Sequence, residues 1–443
     1  MNNFSYLGLF FFVYSSTLGA NDLNLYLETS PHAQKQIESL QDVDPKLNSK
    51  DISIYNKVVD LIEASPVQAI AVMEELDGSK RSPIFDYILG VIYLQNRELQ
   101  KAEVAFKLAI QKYPNFLKAH RALMKVHLKK EDFTKAKESV LKVFELGGAN
   151  GELYGILAYI HYDTENYSSA LSAFQMARVF HSDRLEYKRG ELFSYIGLEK
   201  YREVISLCEE LIKSEKNSKQ YWIEQMKAYR ILGETEKAIA NLEILRDNQS
   251  LSVNETILLA QLYFNESMYE QSVPLYLSIL DQPNLQIGKL TKPLSILVQL
   301  EKWNYVTKFV TSIEKSFQET ELKKSQSYRL AKINLLFHKK DKIAAEKQLK
   351  AFLSEWPTHS EALLRLARYL SEESIYSEAI FYYERAALLE PSKHEAWRAL
   401  GALLIETGNF KKAVSFLEKL NKEKPSEALK ELLPRLRKRI EHE

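Results

Sequence analysis

The chain repeats one pattern every 34 residues, and this period constrains its fold more than any other feature. In most copies an apolar or aromatic residue marks the period, and a small residue follows three positions later. The marker positions are Leu99, Phe133, Tyr167, Tyr201, Thr235, Tyr269 and Trp303, and later Tyr376 and Phe410. A fixed period of this length is typical of an array of small structural units.

Each copy predicts two helices. In "IFDYILGVIYLQNRELQKAEVAFKLAIQKYP" the apolar residues form two stripes at helical spacing, with a polar break from Gln95 to Glu98 between them. Pro114 ends the second helix, because proline cannot continue one. Small residues such as Gly90 and Ala102 let the two backbones approach closely. Since one hairpin cannot bury its own apolar stripe, neighbouring hairpins must stack into a solenoid.

This pattern resembles the tetratricopeptide repeat. The family's Trp-x2-Leu-Gly-x2-Tyr start is similar to "WRALGALL", Trp397 to Leu404, and its Leu-Gly-x2-Tyr core matches Leu89, Gly90 and Tyr93. The resemblance covers about ten repeats, from Pro83 to Glu427. It implies an all-α fold, a right-handed superhelical solenoid of stacked 34-residue helix hairpins.

The first residues differ from the rest of the chain. They contain an apolar run from Tyr6 to Tyr14 and end in small residues, as secretory signal peptides do. Residues 1–20 therefore predict a signal peptide, cleaved between Ala20 and Asn21, and export to the periplasm or the extracellular space. An uncleaved hydrophobic tail is the alternative, because no Lys or Arg precedes the run. No segment reaches the ~20 apolar residues that span a bilayer, so stable membrane insertion of the mature chain is not expected.

The repeats also predict the domain boundaries. The segments are a polar leader (21–48), a degenerate first hairpin (49–82), a regular block (83–286), an irregular repeat (287–325), a second regular block (326–427) and a capping helix (428–443) with Ser426 as its N-cap. The irregular repeat is five residues too long, with Pro293 inside its first helix, and the repeat before it carries Pro274 inside its second helix, so the affected region runs from Pro274 to Lys324. Such prolines kink a helix or cost it ~3 kcal/mol. The region is therefore either a joint between two blocks or a degenerate repeat without a mechanical role.

The sequence carries no motif of catalysis. With 60 Lys and Arg against 59 Asp and Glu, the chain lacks the basic excess of a nucleic-acid-binding protein. The single cysteine, Cys208, can form neither an internal disulfide nor a cysteine zinc cluster, and it occupies a core position. His127 and His161 stand where other repeats have a packing tyrosine, which favours packing over a metal or catalytic pair. We predict no enzyme, no cofactor and no metal.

The candidate binding residues follow from the family resemblance. Its members hold partner segments in a concave groove lined by the first helices, where the fifth, ninth and twelfth residues of each repeat share one face. The candidates here are Arg121, Lys125, Tyr159, Tyr162, Arg189, Phe193, Lys227 and Arg230. Aromatic rings flanked by cations are typical of binding hot spots, and an extended or helical segment with apolar and acidic side chains would complement them. The alternative is that these residues only pack against one another.

The sequence thus predicts a non-catalytic scaffold that binds one or more proteins. Similarity to exported bacterial tetratricopeptide proteins suggests the assembly of an envelope or secretion complex. A second hypothesis is a glycan- or peptidoglycan-binding module that stacks sugars on Tyr159, Tyr162 and Phe193; salt should weaken a protein ligand and hardly affect a sugar. A degenerate enzyme would need His127 and His161 to face an open pocket. The family's two-carboxylate clamp is not expected, because no repeat has its Lys and Asn pair.

Overall fold

The computed structural model describes residues 44–441 apart from 77, 79, 216, 217 and 284. Across these residues it forms 24 helices and no strand, so the predicted all-α repeat fold is confirmed. The predicted signal peptide, its cleavage site and the leader up to residue 43 lie outside the described residues. No helix in the described part of the chain is long and apolar enough to cross a membrane.

The chain divides into two compact units, Met1–Glu234 and Thr235–Glu443, which we describe separately. In the first unit the helices are α1 (Ser49–Ala64), α2 (Pro66–Glu74), α3 (Pro83–Gln95), α4 (Leu99–Lys112), α5 (Leu117–Lys129), α6 (Phe133–Glu145), α7 (Gly151–Asp163), α8 (Tyr167–Phe180), α9 (Leu185–Gly197), α10 (Tyr201–Ser214) and α11 (Lys219–Ile231). Each helix packs against the next one along the chain, so hairpins stack on hairpins.

The second unit begins with the second helix of the fifth repeat. Its helices are α12 (Thr235–Asp247), α13 (Val253–Asn265), α14 (Tyr269–Ser278), α15 (Gly288–Gln299), α16 (Trp303–Ser316), α17 (Glu319–Lys324), α18 (Gln326–His338), α19 (Lys342–Glu355), α20 (Ser360–Glu372), α21 (Tyr376–Ala387), α22 (Lys393–Glu406), α23 (Phe410–Glu423) and α24 (Glu427–Glu441). Ser426 precedes the last helix as its N-cap, and its hydroxyl accepts from the Leu429 amide at 3.3 Å. The helix buries Leu433 and Leu436 against α23 and so covers the final hairpin.

The irregular repeat and the repeat before it keep their helices. Pro274 lies inside α14, which has only 10 residues, and Pro293 lies inside α15. The short helix α17 contains part of the additional sequence. That this region acts as a joint stays a prediction.

Close contact between helices depends on glycine at two clear positions, one within a hairpin (Gly90) and one between neighbouring hairpins (Gly190). A Cβ added at Gly90 would lie 2.5 Å from the ring of Phe106, and one at Gly190 would lie 2.3 Å from the ring of Phe174. Both phenylalanines are fully buried. The close approach that the small residues predicted is confirmed, because the aromatic ring of a neighbouring helix fills the space that a side chain would need.

From α3 onward, the turn inside each of the ten repeat hairpins contains a residue with left-handed backbone, again close to the repeat spacing. These residues are Arg97, Glu131, Glu165, Glu199, Gly233, Ser267, Glu301, Lys340, Ser374 and Gly408, with φ between 54° and 76°. In the first turn the Glu98 amide donates to the Tyr93 carbonyl at 2.8 Å, which closes the end of α3 as in a Schellman motif. Glycine, the usual signal for this conformation, is present in only two copies, so the sequence pattern did not reveal it.

A buried ion cluster ties the degenerate first hairpin to the first regular repeat. The Asp86 carboxylate is inaccessible to solvent and accepts from Arg81 Nε at 2.6 Å and from Lys112 Nζ at 2.5 Å. Arg81 Nη1 also donates to the Met73 carbonyl at 2.9 Å, at the end of α2. One carboxylate on α3 therefore holds two cations, one from the loop after α2 and one from the end of α4.

Candidate partner-binding surface

Helices α7 and α9 are the first helices of adjacent hairpins, and they carry the three predicted aromatic residues. Asn150 starts α7, because its side-chain oxygen accepts from the Leu153 amide at 2.9 Å. Gly155 faces the next hairpin, and a Cβ there would lie 2.6 Å from the Tyr187 ring of α9. This close approach brings the two helices near enough for their larger side chains to meet.

The structure brings Tyr162 and Phe193 together. Their ring centroids are 6.5 Å apart at an interplanar angle of 61°, and the Tyr162 ring also meets Tyr167 at 5.5 Å. Tyr159 packs edge-to-face on buried Phe174 at 4.9 Å. All three predicted residues are partly exposed, so each ring both packs within the protein and presents surface to solvent. We call Tyr159, Tyr162 and Phe193 the aromatic surface.

Burial does not change the protonation state of the Tyr162 hydroxyl at pH 7. It raises the pKa of the Tyr162 hydroxyl, and the nearby Tyr167 and Glu224 act in the same direction. Because a tyrosine hydroxyl is already neutral at pH 7, the raised pKa keeps it a hydrogen-bond donor over the whole physiological range.

Arg189 is engaged within the protein. Its Nε donates to the Tyr221 hydroxyl at 2.8 Å, and its Nη2 donates to Glu215 Oε1 at 2.5 Å. The Tyr221 hydroxyl in turn donates to Glu215 Oε2 at 2.5 Å. These three side chains connect α9 to the loop before α11 and neutralise the charge that the sequence assigned to a partner.

The four other predicted basic residues differ in their contacts and in their exposure to solvent. Arg121 on α5 donates from Nη2 to the Gly148 carbonyl at 3.0 Å, and Lys125 on the same helix is partly exposed. Lys227 on α11 pairs with Glu224 at 2.9 Å, while Arg230, one turn further along, is exposed. The surface is therefore less positive than the sequence suggested, because Glu215 and Glu224 each pair with one of its cations.

The acidic partner of Arg189 could have been predicted from its spacing in the sequence. Glu215 follows Arg189 by 26 positions, and in the second unit Glu355 follows Arg329 by the same 26 and accepts from it at 2.7 Å. A basic residue early in a first helix thus reaches an acidic residue at the end of the next second helix. A search for opposite charges at this offset would have found both pairs.

The two predicted core histidines are buried. His127 Nδ1 lies 3.1 Å from Ser139 Oγ, and its Nε2 lies 3.7 Å from Glu103. Burial lowers the pKa of both His127 and His161, which keeps them neutral at pH 7. Within the described ranges, no three His, Cys, Asp or Glu side chains form a group that could hold a metal ion.

Cys208 is buried in the core of the first unit, among Val204, Leu207 and Leu211. Burial raises the pKa of its thiol to about 12, with smaller effects from Glu224 and Glu209. Since the thiolate is the reactive form, this cysteine is a packing residue.

Comparison with known proteins identifies the repeat type of one stretch in the second unit. A family model for the tetratricopeptide repeat matches residues 370–436. Comparison with curated protein sequences gave no match.

The solved structures that match this chain share little sequence with it. YrrB, described as a tetratricopeptide-repeat protein with an unusual peptide-binding site, is 18% identical over 39% of this chain and 88% of its own, with a TM-score of 0.35. A tetratricopeptide-repeat protein from Parabacteroides merdae is 14% identical over 51% of this chain and 90% of its own, with a TM-score of 0.35. The protein pilF of Pseudomonas aeruginosa is 16% identical over 46% and 92%, with a TM-score of 0.32.

Proposed function

We propose that this chain, a helical repeat protein with tetratricopeptide repeats, is a non-catalytic scaffold that binds other proteins. Proteins of this family bind peptides or proteins. The repeat fold supports the proposal, because stacked hairpins expose extended surfaces of side chains on which a partner can bind.

The observation that carries the proposal is the aromatic surface. Tyr162 and Phe193 meet across two hairpins while remaining partly exposed, and Tyr159 lies one turn before Tyr162 on α7. Rings already fixed by packing lose little conformational freedom on binding, and they offer large contact areas. The three rings of the aromatic surface can therefore pack against one or two apolar side chains of a partner segment.

Charge should contribute less than the rings do. Arg189 and Lys227 are already paired with Glu215 and Glu224, so an acidic partner would have to compete for them. Arg230 remains exposed at the end of α11. We therefore infer a partner segment that is mainly apolar, with acidic groups at its edge, and a weak dependence of its affinity on salt.

Site-specific crosslinking tests this proposal. The photoreactive residue p-benzoylphenylalanine replaces Tyr162 in one version of the full chain and Tyr154 in a matched control. Tyr154 is also a partly buried tyrosine of α7, but its ring packs on Phe144 at 4.9 Å and on Phe180 at 5.8 Å, whereas the Tyr162 ring packs on Tyr167 and Phe193. We expect a protein adduct from extract of the native host at position 162 and none at position 154.

Substitution then measures the contribution of the rings. The pair Tyr159→Ala and Phe193→Ala should weaken binding of the crosslinked partner by about 30-fold, which corresponds to about 2 kcal/mol for loss of a hot spot. The pair Phe144→Ala and Tyr154→Ala removes two rings of the same kind and should leave the affinity unchanged. Equal weakening by both pairs, or no adduct at position 162, would contradict the proposal; a carbohydrate adduct would instead favour the glycan-binding alternative.

We also propose that the chain is exported and works in the cell envelope or outside the cell, in assembly of an envelope or secretion complex. The support is the apolar run from Tyr6 to Tyr14 followed by small residues up to Ala20. Cell fractionation and N-terminal sequencing of the protein from its native host test this. A mature chain beginning at Asn21 in the exported fraction is the expected result, and a full-length chain in the cytoplasm would rule it out.

A further inference from the structure

The second unit contains an apolar groove between α21, α22 and α23, with a volume of about 470 Å³. Eight residues line it: Phe381, Glu384, Arg385, Ala387, Leu388, Trp397, Phe416 and Lys419. We call it the C-terminal groove. It is formed largely by second helices of hairpins, and no residue of the aromatic surface belongs to it.

Two of the apolar side chains are far more exposed than packing requires. Leu388 is 85% exposed and Phe381 is 53% exposed. On the same helix Tyr383 and Ala386 are buried, so α21 already has a complete core face. Apolar side chains that gather around a groove and add nothing to the core are typical of a binding site.

The two cations of the groove have no acidic partner among the residues that the structure describes. Arg385 donates from Nη2 to the Pro357 carbonyl at 2.7 Å, and its guanidinium lies 5.6 Å from the ring of Phe381. Lys419 Nζ lies 5.2 Å from the ring of Phe416. By contrast Lys393 on α22 lies over the ring of Trp397 and is paired with Glu423 at 2.7 Å.

This combination defines the chemistry of a ligand. Arg385 is fixed by a carbonyl and a ring, so most of its donors remain available to a carboxylate in one orientation. The one acid of the groove wall, Glu384, would repel a second acidic group close to it and so favours acids near Arg385 and Lys419. A recess of this size accepts one or two side chains, whereas a bilayer would need a protruding face.

We propose that the C-terminal groove binds a short peptide segment of a partner protein in which an aromatic or branched aliphatic side chain adjoins acidic residues. The apolar side chain occupies the space between Leu388, Trp397 and Phe416. The acidic groups bind Arg385 and Lys419. This site is distinct from the aromatic surface of the first unit and does not depend on the function proposed for it.

A phage-displayed library of random 12-residue peptides, selected on the full chain, tests the proposal. Enriched peptides are synthesised with a fluorescent label, and their affinity is measured by fluorescence anisotropy. Leu388→Ser and Lys419→Glu are the test variants. Ile343→Ser is the matched control for the first, because Ile343 is 84% exposed on α19, and Lys411→Glu is the control for the second on the same helix, α23.

We expect peptides rich in Asp or Glu beside an aromatic or branched residue. Each test variant should weaken their binding by about tenfold, equivalent to about 1.4 kcal/mol, and each control should change it less than about twofold. Raising the salt concentration should weaken binding to the wild-type chain and have less effect on Lys419→Glu.

Four results would overturn the proposal. The first is the absence of any peptide whose binding depends on Leu388 or Lys419, and the second is the enrichment of basic or purely apolar peptides. The third is a self-association that Leu388→Ser abolishes, seen by analytical ultracentrifugation, because a second copy of the chain would then cover the groove. Selective binding to vesicles of anionic lipid, lost in Lys419→Glu, would assign the surface to a membrane and overturn it equally.

Discussion

Removing the Asp86 carboxylate should loosen the attachment of the first hairpin to the repeat array. Asp86 is fully buried and accepts from Arg81 and Lys112, whose side chains are only 11% and 17% exposed. Asp86→Ala leaves both cations in a poorly hydrated place without their counter-charge. Breaking a buried pair in this way costs about 3 to 5 kcal/mol, far more than breaking an exposed one.

Hydrogen–deuterium exchange of the full chain, followed by mass spectrometry, measures this loss of stability in individual helices. Amides of α2 and α3 exchange when this region opens, and a loss of about 3 kcal/mol should speed their exchange by roughly 100-fold or more. Amides of α22 and α23 in the second unit provide an internal reference and should be unaffected. Glu395→Ala removes a pair in which both side chains are 54% exposed and should change exchange around it less than about fivefold.

A triple variant separates charge from packing. Arg81→Met, Asp86→Leu and Lys112→Met together replace the cluster by apolar side chains of similar volume, which is often neutral for stability. We expect exchange in α2 and α3 to return to within about tenfold of the wild-type rate. Two results would contradict this reasoning: exchange in the triple variant as fast as in Asp86→Ala, or a change of less than about tenfold in Asp86→Ala. Either result would show that uncompensated buried charge is not the cause of the destabilisation.

Three further predictions follow from single residues. Glu199→Gly should stabilise the chain by about 1 kcal/mol, because the turn needs a left-handed backbone, and Gly408→Ala should destabilise it by a similar amount; thermal melting measures both, and opposite signs would refute the reasoning. Hydrogen bonds from Lys107 and Lys130 lower the pKa of Glu103 to about 2, below the unfolded value of about 4.3, so its stabilising contribution is complete above about pH 4.3 and is lost as the pH falls towards 2. The difference in urea stability between wild type and Glu103→Gln should shrink over that window, and a constant difference would contradict this. Cys208 should resist alkylation by iodoacetamide at pH 8 until urea unfolds the chain, since burial raises the pKa of its thiol to about 12; rapid labelling of the native chain would show that the thiol is accessible.

The repeating hairpin could be read from the sequence because its causes are local. Apolar stripes at helical spacing, Pro114 after α4 and the serine at the start of α24 act within one or two turns of chain. The left-handed turn residues were missed for an equally local reason. Their position is set by helix-end geometry, which Glu131 and Glu199 satisfy without the glycine that would have marked it.

Only part of the candidate site could be predicted from the sequence. The family resemblance pointed to Tyr159, Tyr162 and Phe193, and the structure places Tyr162 against Phe193. The pairing of Arg189 with Glu215 was not foreseen, because the two residues are separated by a whole helix.

The sequence by itself determined the building unit of this protein: two helices, a close contact through glycine or alanine, and a turn, copied at a period of 34 residues. Tertiary structure alone decided which side chains of different copies meet. The Asp86 cluster, through the bond from Arg81 to the Met73 carbonyl, and the contact of Tyr162 with Phe193 both join adjacent hairpins, and so does the groove around Leu388 and Trp397. The physical reason is that periodicity specifies the face of a helix, whereas charge pairing and exposure depend on the register in which neighbouring hairpins stack.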